Sequence, residues 1–150
     1  MNDPGSEKRE ARSDTIQFSM RKRTVILQAI ALVCLIGCGS RRPLEVTTIQ
    51  LGRTVNSDHT VGGFTSTFTP DDSIYLAVLT GGAGSGTIRV RWKYGSRVID
   101  EPTKQVSYNQ ASATDFRLLS PGGFPRGEYT AEVFVNDQLV GTRTFHVEMR

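Results

Sequence analysis

The chain predicts an all-β domain, a sandwich of seven or eight short antiparallel strands, carried behind a brief apolar N-terminal helix. Three observations predict it. From Leu44 onward apolar residues fall at every second position, and no window sustains a helical period of about 3.6. Turn-forming clusters at Pro70-Asp71-Asp72, Gly95-Ser96, Pro121-Gly122-Gly123 and Asn136-Asp137 divide this stretch into strand-length pieces. Before Leu44 the composition changes to a basic cluster, an apolar run and a cysteine.

Leu44 to Leu51 reads as the first strand, Asn56 to Gly63 as a loop, and Phe64 to Phe68 as the second strand. Ser73 to Thr80 follows. It carries Ile74, Leu76 and Val78 on one face and Tyr75, Ala77 and Leu79 on the other, so it belongs in the middle of a sheet. Thr87 to Tyr94 alternates most cleanly, with Ile88, Val90, Trp92 and Tyr94 on one side and Arg89, Arg91 and Lys93 on the other. Gly95-Ser96 turns this strand into a return that begins at Arg97 to Ile99, while Tyr108 to Thr114 is polar and irregular. Phe116 to Leu119 is a short strand before the Gly/Pro loop. Glu128 to Val135 places Tyr129, Ala131, Val133 and Val135 on one face, and Asn136-Asp137 reverses it into Gln138 to Val147. Gly141, inside that last strand, predicts a bulge.

The N-terminal stretch runs from Met20 to Cys38. Arg21, Lys22 and Arg23 precede an apolar core from Val25 to Gly37 that is shorter than the roughly 20 residues needed to span a bilayer. Basic start, short apolar core and small residues before a cleavage point form the pattern of an export signal. Leu35-Ile36-Gly37-Cys38 resembles the lipobox of bacterial lipoproteins. The resemblance implies cleavage between Gly37 and Cys38, a thioether-linked diacylglycerol on Cys38, and acylation of the freed amine. Gly39 resembles the residue that permits outer-membrane sorting, which implies the periplasmic face of the outer membrane in a host with two membranes. Residues 1–19 are polar and mixed in charge, with no apolar face to join a core. They are either a disordered extension or untranslated sequence upstream of a start at Met20. The predicted organisation is therefore 1–19 extension, 20–37 signal peptide, 38–43 lipidated cysteine and tether, and 44–150 β-sandwich.

Division of the chain also corrects its charge. The whole sequence has 18 Lys and Arg against 15 Asp and Glu, yet the part after residue 40 is close to neutral. A global basic field for nucleic acid is absent. Cys34 lies in the signal and Cys38 is the attachment point, so the predicted domain contains no disulfide or thiolate metal site.

Trp92, the run Gly127-Glu128-Tyr129 and the closing Phe145-His146-Val147 resemble immunoglobulin-like domains of bacterial extracytoplasmic proteins. In that family a Trp lies on a central strand, Gly-x-Tyr opens the penultimate strand, and aromatic-x-Val ends the last. The resemblance implies an immunoglobulin-like β-sandwich and carries no activity with it.

Candidate sites are few. Gly81 to Gly86 is glycine-rich, but a strand follows it and no Lys does, so it reads as a flexible hairpin loop and not as a phosphate cradle. Arg89, Arg91 and Lys93 form either an anion-binding face, for lipid headgroups or a polyanionic glycan, or a solvent-facing ladder partnered by Asp100, Glu101 or Glu132. Phe124 and Phe134 are candidates for an exposed partner patch, against the alternative that they cover a sheet edge or a loop. His59 and His146 lack a third ligand at useful spacing, no Gly-x-Ser-x-Gly elbow occurs, and the acidic pairs Asp71-Asp72 and Asp100-Glu101 suit turns. The expectation is a membrane-anchored envelope lipoprotein with no enzyme activity and no cofactor. It would act as a binding or adaptor module for an envelope protein or glycan through loops and strand edges. The alternative is an accessory domain of an envelope enzyme or of a secretion or assembly complex. Globomycin, which blocks the lipoprotein signal peptidase, should make the uncleaved precursor accumulate on immunoblots; unchanged processing would refute the lipobox reading.

Overall fold

A computed structural model describes residues 42–149. The expected signal and lipobox, with Cys38, lie outside the described residues. Ten strands follow in order: β1 Val46–Val55, β2 Val61–Phe64, β3 Thr67–Phe68, β4 Ile74–Thr80, β5 Gly84–Tyr94, β6 Arg97–Asp100, β7 Thr103–Tyr108, β8 Ser112–Leu118, β9 Gly127–Val135 and β10 Gln138–Val147. One sheet has the order β2-β1-β4-β8. The other runs β3-β10-β9-β5-β6, with β7 also paired to β5. All pairings are antiparallel except β3 with β10, which is parallel. Arg41–Arg150 is one compact unit.

The alternation read from the sequence is the alternation that packs. Ile88, Val90 and Trp92 from β5, and Tyr129, Ala131 and Val133 from β9, are buried, facing Ile74, Leu76 and Val78 from β4. Leu44 to Leu51 is displaced: the strand starts at Val46 and continues to Val55. Strands differ from the expectation in three places, two of which raise the count from eight to ten. Phe64 to Phe68 is not one strand, because Gly63 adopts φ +59° and the Thr65 hydroxyl accepts the Thr67 N–H at 3.0 Å, which breaks the chain between sheets. Part of the predicted 56–63 loop is thus β2. Second, β7 has both faces largely exposed, and its apolar alternation is too weak to read. Third, the polar segment expected to be irregular holds the start of β8, where Ala113 and Thr114 are buried.

The glycine run is not a free loop over its whole length. β5 begins at Gly84, and a Cβ there would lie 2.8 Å from the Pro43 carbonyl oxygen. Glycine is what lets the incoming chain approach. Ser85 donates its N–H to the Arg42 carbonyl at 3.0 Å, and Pro43 bridges Ser85. Arg42 and Pro43, expected to be tether, are therefore part of the sheet. The bulge expected at Gly141 occurs between Leu139 and Gly141 against β9.

An aromatic cluster fills the core at the end of the sandwich opposite Pro43. Phe145 stacks on Tyr129 with centroids 5.2 Å apart and receives Phe68 and Trp92 edge-on at 5.4 and 6.1 Å. Tyr94 packs on Tyr129 at 4.8 Å. The Tyr129 hydroxyl donates to the Pro125 carbonyl at 2.7 Å, a corner that ties the loop before β9 to the core. Tyr94 donates to the Arg126 carbonyl at 2.9 Å, and Gly127 at φ +143° leaves room for its ring, which a Cβ would meet at 2.9 Å.

Tyr129→Phe should lower stability by about 1 kcal/mol, the net worth of one hydrogen bond. Gly127→Ala should cost more, roughly 1–3 kcal/mol from backbone strain. Urea midpoints read both; equal midpoints for Gly127→Ala and wild type would refute the close approach.

Candidate functional site

Arg89, Arg91 and Lys93 do lie together on the outer face of the six-stranded sheet, and each has a carboxylate partner. Arg89 pairs with Glu101 and, at 3.0 Å, with Asp137; Arg91 pairs with Glu101 at 3.0 Å and Glu132 at 3.6 Å; Lys93 reaches Glu132 at 3.0 Å. Three cations face three anions, so the ladder presents no net charge. Of the expected partners, Glu101 and Glu132 serve, while Asp100 turns back to accept the Glu101 N–H at 2.9 Å. Asp137 was invisible as a partner because the β9–β10 turn brings it in from 48 residues away. Of the two readings, the geometry matches the solvent-facing ladder partnered by carboxylates.

The expected partner patch is likewise divided. Phe134 lies under the ladder, with the Arg89 and Arg91 guanidinium carbons 4.3 and 4.9 Å from its ring centroid. Phe124 is only 6 % exposed and packs edge-on against Tyr129 at 6.2 Å. The Phe124 N–H donates to the Pro70 carbonyl at 2.9 Å, which draws the Gly/Pro loop over the end of the core. One phenylalanine is clamped on an outer face and the other is core.

Two long strand edges are closed by side chains. Tyr108 and Lys104 donate to the Ala113 and Asp115 carbonyls on the free edge of β8, at 3.3 and 2.6 Å. Arg143 bridges the seam between sheets, donating to the Ile49 carbonyl at 2.9 Å and to the Thr142 carbonyl at 3.0 Å. Such caps blunt pairing with another chain. Concavities open at both ends of the sandwich.

At the Pro43 end an open groove of about 730 Å³ is lined by Pro43, Ser85, Thr87, Gln105, Ser107 and Asn136 among others, with no charged or aromatic side chain. Asn136 spends its backbone and side chain on Thr87, at 3.0 Å each way. The opposite end has a different chemistry. Tyr94, Ile99, Leu118, Phe124, Pro125 and Tyr129 line a concavity of about 290 Å³, with Leu119 and Arg97 also at it. Leu119 is 63 % exposed. Burial, then the neighbouring Tyr94, push the Tyr129 hydroxyl above its ordinary pKa, so it stays a donor to Pro125 at neutral pH. Apolar walls with few polar groups are the ordinary make-up of a binding pocket. Sequence reading missed it because two segments, Tyr94 to Ile99 and Leu118 to Tyr129, meet only in the fold.

His59 contacts Asp115 at 2.7 Å, and His146 lies on β10. Among the described residues no three His, Cys, Asp or Glu side chains stand close enough to hold a metal ion.

No family model matches the chain, and neither does any curated protein. An immunoglobulin-like protein from Pseudomonas aeruginosa is similar in structure, with 14% identity, 73% of this chain and 100% of that one covered, and a TM-score of 0.51. The fold is immunoglobulin-like. A cycloisomaltooligosaccharide glucanotransferase from Paenibacillus sp. is similar over 70% of this chain and 14% of its own, at 15% identity and a TM-score of 0.48. An alkylpurine DNA glycosylase from Pseudomonas fluorescens is similar over 72% and 31%, at 9% identity and a TM-score of 0.45.

Three carboxylates, Asp58, Asp72 and Glu101, make stability depend on pH, and the Thr60 hydroxyl and N–H hold Asp58 low. The Arg89 hydrogen bond, with Arg91, holds Glu101 below its ordinary pKa despite partial desolvation. Burial pushes Asp72 up, but the Thr69 N–H and Arg53 together outweigh it and leave it low. Depressed folded pKa values mean stabilisation that is present above the ordinary carboxylate range and lost as pH falls through the folded values. Urea midpoints should hold from about pH 7 to about pH 5 and drop toward about pH 3. Glu101→Gln should lower the neutral midpoint and shrink that drop; an undiminished drop in this variant would remove Glu101 from the account.

Proposed function

We propose that the protein is a membrane-anchored envelope lipoprotein, attached through Cys38, whose immunoglobulin-like domain is a non-enzymatic binding or adaptor module. The lipobox resemblance at Leu35-Ile36-Gly37-Cys38 supports the anchor. One observation carries the module reading: the chain joins the domain at one end, and the apolar pocket opens at the other. Arg42 and Pro43 are fixed to Ser85 at the start of β5. Tyr94, at the end of the same strand, lines the pocket. At about 3.3 Å per residue the strand separates them by on the order of 30 Å.

Anchoring then has a geometric consequence. With Arg42 and Pro43 built into the sheet, only Gly39, Ser40 and Arg41 follow Cys38 before it, a covalent reach on the order of 10–15 Å. The Pro43 end would be held close to the bilayer, and the pocket would face away from it toward envelope partners. Three acyl chains, at about 0.8 kcal/mol per buried methylene, make such attachment effectively permanent. Gly39 supports the periplasmic face of the outer membrane as the destination in a host with two membranes.

Cys38→Ala should move the protein from the membrane pellet to the soluble or precursor fraction and abolish incorporation of labelled palmitate. A variant that still sediments with membranes and still labels would overturn the anchor.

A further inference from the structure

We propose that the pocket at the far end receives an apolar side chain from an extended segment of a partner protein, with a neighbouring carboxylate of that segment paired to Arg97. The inference rests on the binding-module reading and is independent of the lipid anchor.

Size selects a side chain. The concavity, about 290 Å³, lies at the bottom of the roughly 300–1,000 Å³ range of small-molecule sites. Its depth is made of Tyr94, Leu118, Phe124 and Tyr129, and these are held rigidly. Tyr129 and Tyr94 are hydrogen-bonded to the Pro125 and Arg126 carbonyls at 2.7 and 2.9 Å, and the Ser120 hydroxyl donates to the Gly123 carbonyl at 2.5 Å. A pocket whose walls are fixed in advance loses little entropy on filling. The exposed Leu119 extends the apolar surface beyond the pocket, where the next residues of a bound segment would run.

Charge selects the neighbour. Arg53, Arg89, Arg91, Lys93 and Lys104 are each paired with a carboxylate of this chain. Arg97 is exposed and, among the described residues, makes no ion pair and no side-chain hydrogen bond. No acidic residue lines the pocket. An uncompensated guanidinium beside an apolar pocket is complementary to an apolar residue flanked by Asp or Glu, because the guanidinium takes a carboxylate in bidentate fashion. A neutral apolar segment would leave that complementarity unused, and a basic one would be repelled.

The probe is a random dodecapeptide library displayed on phage, panned against the full chain in detergent micelles. Selected peptides should share an aromatic or aliphatic residue with Asp or Glu within two positions. A synthetic consensus peptide should bind at least tenfold more weakly to Arg97→Ala and severalfold more weakly to Leu119→Ser, while Arg42→Ala, at the other end, binds as wild type. Panning against Arg97→Glu should return Lys or Arg at the position of the carboxylate. Arg97 and Leu119 are exposed, so Trp92 fluorescence should report an intact fold in these variants. Failure to enrich any motif, a motif without a carboxylate, or undiminished binding to Arg97→Glu overturns the proposal. So does Arg97-dependent retention of heparin without peptide binding, which would assign the site to a polyanionic glycan. Any of these results leaves the Cys38 anchor, read by fractionation and palmitate labelling, untouched.

Discussion

The hydrogen bond from Tyr129 to Pro125 is the joint on which the far end of the domain depends. The Tyr129 ring belongs to the core, stacked on Phe145 and flanked by Tyr94 and Phe124. Its hydroxyl leaves the core and fixes a loop carbonyl. A phenylalanine could pack and a serine could bond, but only tyrosine does both from one position. The consequence reaches the surface. The loop that Tyr129 holds contains Phe124 and Pro125, and these wall the pocket. Core packing and pocket geometry are therefore one construction.

A second constraint comes from edges. Two stacked sheets that do not close into a barrel leave backbone groups unpaired along their outer strands. This domain handles them with side chains from the opposite sheet. Lys104 and Tyr108 reach from β7 to β8, and Arg143 reaches from β10 to β1. Each long polar side chain gives up rotamer freedom to do so, at a cost on the order of 1–2 kcal/mol. What this secures is a domain that offers no ready template for strand addition along those edges, while β2 and β6 remain outer strands.

Much of the fold was legible because burial imposes a period. β4, β5 and β9 declare themselves by the apolar residues they must hide, and Trp92, Gly127-x-Tyr129 and the closing Phe145-x-Val147 resemble an immunoglobulin-like sandwich. Where burial is one-sided or absent, the signal fails. β7 is mostly exposed on both faces, with only Val106 and Tyr108 partly buried, so its apolar alternation is too weak to read. Gly84 and Gly86 looked like a loop because their composition is that of a loop; their reason is the closeness of Pro43 and Asn136, contacts 40 to 50 residues distant in sequence. Phe124 looked exposed because Gly and Pro surround it, yet the same residues bend the loop inward over the core. The arginine ladder was legible as a row of charges and illegible as a neutral face, since Asp137 arrives from another turn.

That last point changes what net charge means for this domain. The part after residue 40 is close to neutral, so a global basic field for nucleic acid is absent. Distribution decides recognition, and distribution is set by which charges the fold lets meet. The outer face of the six-stranded sheet, richest in cations, is the most fully compensated, with each guanidinium satisfied by carboxylates of the same chain. Arg97, one turn beyond Tyr94, makes no ion pair among the described residues, as is also true of Arg117 and Arg126, and of these it is the one that lines the apolar pocket. A paired charge is screened by its partner at a few ångströms, while an unpaired one keeps its full field toward an approaching group. Counting cations would point to the ladder, and following their partners points to the single arginine at the pocket.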